Sequence, residues 1–273
     1  MLGYSLSPNE LWSLMATPGA PAVVDVRRAE VYDGSPHLLP AALRRDSSTA
    51  RQWGADIGPG RAIVVACKAG HDLSQRAAAE LRADGYDAHI LTGGYEAWQA
   101  AGLPMVAKAA LDRIAPTRPS VWVTRRHPKI DRVACPWLIR RFLDSQARIL
   151  FVDPDQVPKV ARESGAIPFD IPDVELSHVG ERCSFDTMLH LFGVASDAQL
   201  QRLALIVRGA DTARPGLAPE AAGLHAISLG LSALAGDDDH GLLTRGFLVY
   251  DALFAWLRFA AGERHNWPAT AAA

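Results

Sequence analysis

The sequence predicts an α/β protein with a doubly wound N-terminal domain, followed by a mostly α-helical C-terminal domain with a few short strands. In the first half, short apolar runs alternate with helical stretches, which is typical of parallel βαβ units. In the second half, helical periodicity dominates. The length of 273 residues is enough for two domains of ordinary size.

Three apolar runs in the first half predict strands, at Val23–Val26, Ile63–Ala66 and His89–Leu91. The segment from Ser74 to Ala83 predicts a helix, because its alanines and one leucine fall along one face. Gly85 follows at the position where a left-handed residue commonly ends a helix.

Cys67 directly follows the second of these strands, and a glycine-containing loop leads from it to the predicted helix. The N–H groups of such a loop and the positive end of the helix both favour thiolate, the nucleophilic form of cysteine. The same loop forms a cradle for an oxyanion. Cys67 is therefore the candidate nucleophile. The other candidate catalytic residues are Lys68, Gly70, His71 and Ser74.

Three motifs in the first half resemble the rhodanese superfamily, over roughly residues 6–106. Val23–Arg27 is similar to the family's strand followed by Asp-Val-Arg, and Pro36–Ala42 to its Gly-His-Ile-Pro-Gly-Ala turn. Leu91–Trp98 resembles its last strand, Gly-Gly turn and tryptophan helix. The resemblance implies that Cys67 carries a persulfide.

The loop after Cys67 departs from the rhodanese pattern. The family's loop has an arginine just before a Ser or Thr, whereas this chain has Asp72 there and Ser74 one residue later than usual. Because a longer loop admits a larger anion, one alternative is an oxyanion reductase in which Cys183 or an external thiol resolves oxidised Cys67. A second alternative is a binding or sensing protein whose first domain is not catalytic.

Composition and charge exclude several classes of protein. Hydrophobic residues make up 49% and charged residues 21%, as in a packed globular protein. The formal net charge of −2 gives no general attraction to nucleic acid or membrane, and no apolar run reaches the length of a membrane span. The three cysteines are far apart and odd in number, so we expect a reducing compartment and a cytoplasmic location.

A proline-containing, aperiodic stretch separates the two halves. We expect a first domain at residues 1–108, a linker at 109–119 and a second domain at 120–262. In the second domain, Val121–Thr124 and Arg148–Val152 predict strands. Predicted helices begin near Asp131, Val157, Asp186, Asp197, Pro219 and His240.

Segments of the second half resemble the C-terminal domain of chromate resistance proteins of the B type, over roughly residues 120–258. The most specific is the run from Ile130 to Arg141, which contains Ile-Asp-Arg and Cys-Pro-Trp-Leu-Ile-Arg-Arg. The others are 175–186 and 207–212 with Val249–Leu253. The resemblance implies a link to chromate resistance.

Basic residues in and beside this run predict an oxyanion site. Guanidinium groups bind tetrahedral oxyanions such as chromate, sulfate and phosphate through paired hydrogen bonds. The alternative is a solvated basic helix paired with acids elsewhere. No recognised nucleic-acid-binding motif accompanies the basic residues, so nucleic acid is not an expected partner. The candidate residues are Arg125, Arg132, Arg140 and Arg141.

Carboxylates and a histidine in the second half predict a divalent metal site, with Zn, Mn or Fe as the metals that such mixed donors suit. The alternative is a histidine that is simply hydrogen-bonded in the core. The candidate ligands, with His178 and Asp211 first, are Glu175, His178, Asp186 and Asp211.

Together these features predict a cytoplasmic protein of chromate or oxyanion stress. In the expected reaction, the Cys67 thiolate attacks a sulfur donor and holds the persulfide for an acceptor thiol. The expected partners are small thiols, sulfur donors and oxyanions such as chromate.

Overall fold

The structure is a computed structural model that describes residues 4–58 and 60–264, which form ten strands and twelve α-helices. The strands are β1 (Ser5–Leu6), β2 (Ala22–Asp25), β3 (His37–Leu38), β4 (Leu43–Arg44), β5 (Ile63–Ala66), β6 (Ala88–Leu91), β7 (Val106–Ala107), β8 (Val121–Arg125), β9 (Arg148–Val152) and β10 (Ile167–Pro168). The α-helices are α1 (Pro8–Leu14), α2 (Ala29–Asp33), α3 (Ala50–Ile57), α4 (Asp72–Ala83), α5 (Gly94–Ala100), α6 (Lys108–Ile114), α7 (Asp131–Leu138), α8 (Val157–Ser164), α9 (Ser184–Leu191), α10 (Ala198–Asp211), α11 (Ala221–Ala235) and α12 (Asp239–Ala255). Two π-helical segments, Ile139–Leu143 and Trp256–Ala260, continue α7 and α12.

The first half is the predicted doubly wound sheet, with five parallel strands in the order β1-β6-β5-β2-β4. Successive residues of β5 belong to cores on opposite faces, because side chains alternate along a strand. Val64 packs in one core with Trp98 of α5, and Val65 packs in the other with Trp53 of α3. Apolar residues on both faces explain why the strands are continuous apolar runs.

The second half is mostly helical, as predicted, and has a small parallel sheet in the order β10-β8-β9. Trp122 of β8 is fully buried, with its ring 6.3 Å from Phe169 and 6.5 Å from Phe192 in edge-to-face contacts. In the described chain, helices of a length and hydropathy suited to crossing a membrane are absent.

The segment predicted as a linker differs from that expectation, because residues 108–114 form α6. Leu111 and Ala115 are each only 1% exposed and belong to the main core of the second half. The segment is rich in residues of high helix propensity, and Pro116 and Pro119 come after the helix, so they end it rather than prevent it.

The two halves pack against each other through aromatic side chains. The Trp12 ring of α1 lies 6.0 Å from Phe142 and 6.1 Å from Phe254, both of the second half. Arg258 donates a hydrogen bond of 3.0 Å from Nη1 to the carbonyl of Met15. The halves therefore share buried apolar surface.

Candidate functional site

Cys67 directly follows β5, an inner strand of the first sheet. The carboxyl ends of the strands are the edge at which open parallel sheets bind their ligands. Its Sγ is 3.2 Å from the Ser74 Oγ and 3.8 Å from the His71 carbonyl oxygen. Cys67 is 5% exposed, and α4 begins five residues later at Asp72. The thiol is thus held between the end of a strand and the start of a helix.

The loop over Cys67 packs closely on the turn before α5. Gly70 has a φ of +74°, and a Cβ there would lie 2.7 Å from the Gly93 nitrogen, so no side chain fits. The Cys67 carbonyl accepts a 2.9 Å hydrogen bond from the Tyr95 N–H at the start of α5. The first loop carbonyl therefore binds α5 instead of facing the thiol cleft.

The N–H groups of the loop remain available. Within the described residues, no carbonyl accepts a hydrogen bond from the N–H groups of residues 68–73. Ser74 Oγ donates to the His71 carbonyl at 3.0 Å while lying beside the Cys67 sulfur. When the thiol loses its proton, this hydroxyl can rotate to donate to sulfur. Unpaired N–H groups, a hydroxyl and a helix N-terminus suit a negatively charged sulfur or a bound anion.

An open cleft of about 360 Å³ gives access to Cys67. Lys68 lines it but pairs with Glu96 at 3.4 Å and is more than half exposed. Asp72, which replaces the usual loop arginine, is exposed on the same cleft. Arg28, which follows β2, also lines the cleft and supplies a cation that the sequence did not single out. Because β2 pairs with β5 in parallel, residues that follow these two strands lie at the same edge of the sheet. This shared edge could have indicated from the sequence that Arg28 lies near Cys67.

The other two cysteines are not accessible. Cys135 and Cys183 are fully buried in the core of the second half. Burial, followed by the charge of the nearby Asp131, raises the pKa of both thiols well above the usual value for cysteine. The expectation that Cys183 resolves an oxidised Cys67 is therefore wrong, since no partner thiol can reach it in the folded protein.

A second cluster of functional groups surrounds His178. Its Nε2 lies 3.3 Å from Asp211, 3.5 Å from Asp131 and 3.5 Å from Asp170. One donor atom each from Asp131, Asp170 and His178 lies within 4.8 Å of the other two. The predicted pair His178 and Asp211 thus comes together, joined by two carboxylates that were not predicted as ligands.

Two of the predicted metal ligands lie elsewhere, and this part of the prediction is wrong. Glu175 is exposed and accepts two hydrogen bonds from Arg113, at 2.6 and 2.7 Å. Asp186 is buried and accepts from Arg208 Nε at 2.9 Å and from the Cys183 N–H at 3.1 Å. Asp186 therefore caps the N-terminus of α9. Arg113 neutralises the Glu175 carboxylate, and Arg208 neutralises the Asp186 carboxylate.

The four predicted oxyanion-binding arginines form two groups, which corrects the expectation of one site. Arg125 Nη2 lies 2.9 Å from the Asp170 carboxylate, and Arg132 Nε lies 3.5 Å from it. Arg140 and Arg141 lie beyond the end of α7. Eight residues separate Arg132 from Arg140, which is about 12 Å along a helix axis. Arg132 Nη1 donates to the Arg126 carbonyl at 3.0 Å and Arg140 Nε donates to the Ala147 carbonyl at 2.9 Å, so different segments hold the two guanidinium groups.

The ionisable groups around His178 have displaced pKa values. Hydrogen bonding to Asp131 and the three nearby carboxylates raise the pKa of His178 to about 9. Burial and the charges of Asp131 and Asp170 raise the pKa of Asp211 to about 7. Strongly displaced pKa values in one cluster are typical of functional sites as well as of buried ion pairs.

Two further features mark this cluster. Ile130 and Asp170 have φ values of +35° and +51°, a backbone strain that tends to collect at functional sites. The buried Nε of Arg125 has no hydrogen-bond partner among the described residues. A buried donor without a partner costs free energy, so a ligand that accepts from it is favoured.

The fold and the thiol define the class of this protein: a doubly wound sheet with a loop-cradled cysteine after an inner strand is a rhodanese-like domain. Family models match accordingly, the rhodanese-like domain at residues 7–101 and the ChrB C-terminal domain at residues 122–257. The chain belongs to the rhodanese-like family, and its second half is a ChrB C-terminal domain.

Two curated relatives match different halves. Thiosulfate sulfurtransferase GlpE of Actinobacillus succinogenes is 34% identical over 102 residues, which are 37% of this chain and 87% of GlpE. Protein ChrB of Cupriavidus metallidurans is 37% identical over 134 residues, which are 49% of this chain but only 39% of ChrB. A solved rhodanese homologue from Thermus thermophilus is 34% identical, covers 34% of this chain and 99% of its own, and has a TM-score of 0.28.

Proposed function

We propose that this protein is a sulfurtransferase that carries sulfane sulfur as a persulfide on Cys67. The observation that carries the proposal is the setting of the Cys67 sulfur, 3.2 Å from the Ser74 hydroxyl, beneath a loop whose N–H groups have no acceptor among the described residues. Thiosulfate is the proposed donor, because the relative that matches this half is named a thiosulfate sulfurtransferase. The cytoplasmic location expected from the cysteines stays a prediction.

In the first step, the Cys67 thiolate attacks the sulfane sulfur of thiosulfate. A sulfur–sulfur bond to Cys67 forms, the donor's own sulfur–sulfur bond breaks, and sulfite leaves with that electron pair. In the second step, a small thiol or cyanide takes the outer sulfur and the Cys67 thiolate is regenerated. The loop N–H groups and Ser74 would stabilise the negative sulfur throughout.

Treatment of the purified protein with thiosulfate, followed by peptide mass spectrometry, tests this proposal. We expect the mass of one sulfur atom to be added to the peptide that contains Cys67. The peptides of Cys135 and Cys183 should stay unmodified, because both thiols are buried. Cyanide should remove the added sulfur and release thiocyanate. An unmodified Cys67, or added sulfur on Cys183, would contradict the proposal.

A second function, divalent metal binding by the ChrB domain, is favoured by the converging donor atoms of Asp131, Asp170 and His178. Asp211, 3.3 Å from the His178 ring, would complete the donor set. Carboxylate oxygens and an imidazole nitrogen are suitable ligands for Zn, Mn and Fe(II). His178 is 42% exposed, so a metal ion has a route from solvent to the buried carboxylates.

Elemental analysis and thermal unfolding with added Zn, Mn or Fe(II) test metal binding. A metal that binds only the folded state stabilises it by about 2.7 kcal/mol at roughly 100 times its dissociation constant, so the melting temperature should rise. His178→Ala should abolish the rise, whereas His225→Ala, at an exposed position on α11, should keep it. A rise with molybdate, a tetrahedral dianion, but with none of the metals would identify an oxyanion site and refute the metal proposal.

A further inference from the structure

A cleft of about 770 Å³ lies between the two halves of the chain. Residues 17–20 and 60–62 form its first-half wall, and residues of the π-helical segment and of α12 form the other wall. Three guanidinium groups line it, from Arg61, Arg140 and Arg141. Two of these arginines were predicted to bind an oxyanion, and the third, Arg61, comes from the other half. Among the described residues, this cleft shares no lining residue with the one at Cys67.

Several hydrogen-bond donors of these arginines are free. Arg141 is engaged with Asp251, at 3.0 Å through Nε and 2.7 Å through Nη2. Arg61 donates to two backbone carbonyls, at 3.1 and 3.3 Å, and Arg140 Nε donates to one, at 2.9 Å. Within the described residues, Nη1 of Arg61 and both terminal nitrogens of Arg140 have no hydrogen-bond partner, and neither side chain forms an ion pair. The Arg140 guanidinium carbon lies 5.8 Å from the centre of the Phe247 ring.

Among the described residues that line the cleft, the charged side chains are three arginines and one carboxylate, that of Asp87. Burial, and then the neighbouring charge of Arg141, lowers the pKa of both Arg61 and Arg140, while the charge of Asp144 acts in the opposite direction on Arg140. Asp251 is already bound by Arg141, and the rim residue Asp87 is exposed and bonded to the His89 ring at 2.8 Å. The charged groups that line the cleft are therefore mainly arginines, and the repulsion between them decreases when an anion binds.

We propose that this cleft binds a small organic anion with a tetrahedral dianionic group, such as a phosphate ester, between the two halves of the protein. Guanidinium groups suit such a group because they donate paired hydrogen bonds to its oxygens. The volume is in the range of small-molecule sites and exceeds the need of a free oxyanion. Phe247 adds an apolar wall, with its ring 5.4 Å from the Arg141 guanidinium carbon.

Thermal unfolding and calorimetric titration of the full chain with adenosine monophosphate, inorganic phosphate and adenosine test the proposal. Adenosine monophosphate should bind and raise the melting temperature, and uncharged adenosine should do neither. Binding of the ester more tightly than inorganic phosphate supports the organic ligand. If adenosine monophosphate and phosphate both fail to bind at millimolar concentration, or if adenosine binds as well as its phosphate, the proposal is overturned.

Variants separate this cleft from the His178 cluster. The affinity for adenosine monophosphate should fall about tenfold in Arg61→Gln and in Arg140→Gln, because each substitution removes charged hydrogen bonds to the anion. Arg148→Gln, at an exposed arginine of β9, and Arg125→Gln, in the His178 cluster, should bind as the wild type does. Wild-type affinity in Arg140→Gln, or loss of binding in Arg125→Gln, overturns the proposal even if Arg61→Gln does not fold.

Discussion

Replacement of Cys67 by serine is expected to lower the rate of thiocyanate formation from thiosulfate and cyanide on the order of a thousandfold. A serine hydroxyl ionises far less readily than a thiol and cannot form a persulfide. The substitution changes one atom, and serine can keep the hydrogen bond to Ser74. The melting temperature should therefore stay close to that of the wild type.

The matched control is Cys183→Ser, which changes a buried cysteine in the other half and can keep its hydrogen bond to Asp186. This variant should retain wild-type turnover. Equal turnover in Cys67→Ser and wild type would place the chemistry elsewhere. Loss of turnover in a folded Cys183→Ser protein would show that the ChrB domain contributes to the reaction.

Replacement of Arg27 by alanine is expected to lower the free energy of unfolding by about 3 to 5 kcal/mol, the usual cost of breaking a buried ion pair. The Arg27 side chain has no exposed surface and donates to the Asp25 carboxylate at 2.6 Å through Nη2 and 2.9 Å through Nε. Its guanidinium carbon also lies 3.9 Å from the centre of the Tyr95 ring. Without Arg27, the buried Asp25 carboxylate loses its ion pair, since the nearby Arg44 donates to the Asp25 backbone carbonyl and not to the carboxylate.

Urea unfolding measures this change, and Arg28→Ala, the exposed neighbour, is the control, with an expected change within about 0.5 kcal/mol. Because the cost comes from the unpaired Asp25, the double variant with Asp25→Ala should be more stable than the sum of the two single effects implies. A loss below about 1 kcal/mol in Arg27→Ala would mean that Asp25 finds another partner or a proton.

Most of the fold follows from local patterns in the sequence. The strand predicted at Ile63–Ala66 has those bounds, and the one predicted at Val23–Val26 is shifted by one residue. The helix predicted from Ser74 begins at Asp72 and ends at Ala83 before Gly85, whose φ is +88°. Apolar runs and a glycine in the left-handed region are local signals, which a single sequence contains.

The sites depend on contacts between distant segments, so the sequence predicts them less well. Asp170 reaches His178 only because β10, a strand of two residues, pairs with β8. Neither strand length nor composition indicates that pairing. In the same way, tertiary packing that buries Leu111 stabilises α6. The prolines that follow this segment made it resemble a linker in the sequence.

The contact of Trp12 with Phe142 and Phe254 makes the folding of the two halves interdependent. Separation of the halves would expose these rings to water and would break the hydrogen bond from Arg258 to the Met15 carbonyl. Unfolding of one half therefore lowers the stability of the other. The heat of unfolding should then appear in one calorimetric transition. By thermodynamic linkage, a molecule that binds the folded form of either half raises the free energy of unfolding of the whole protein.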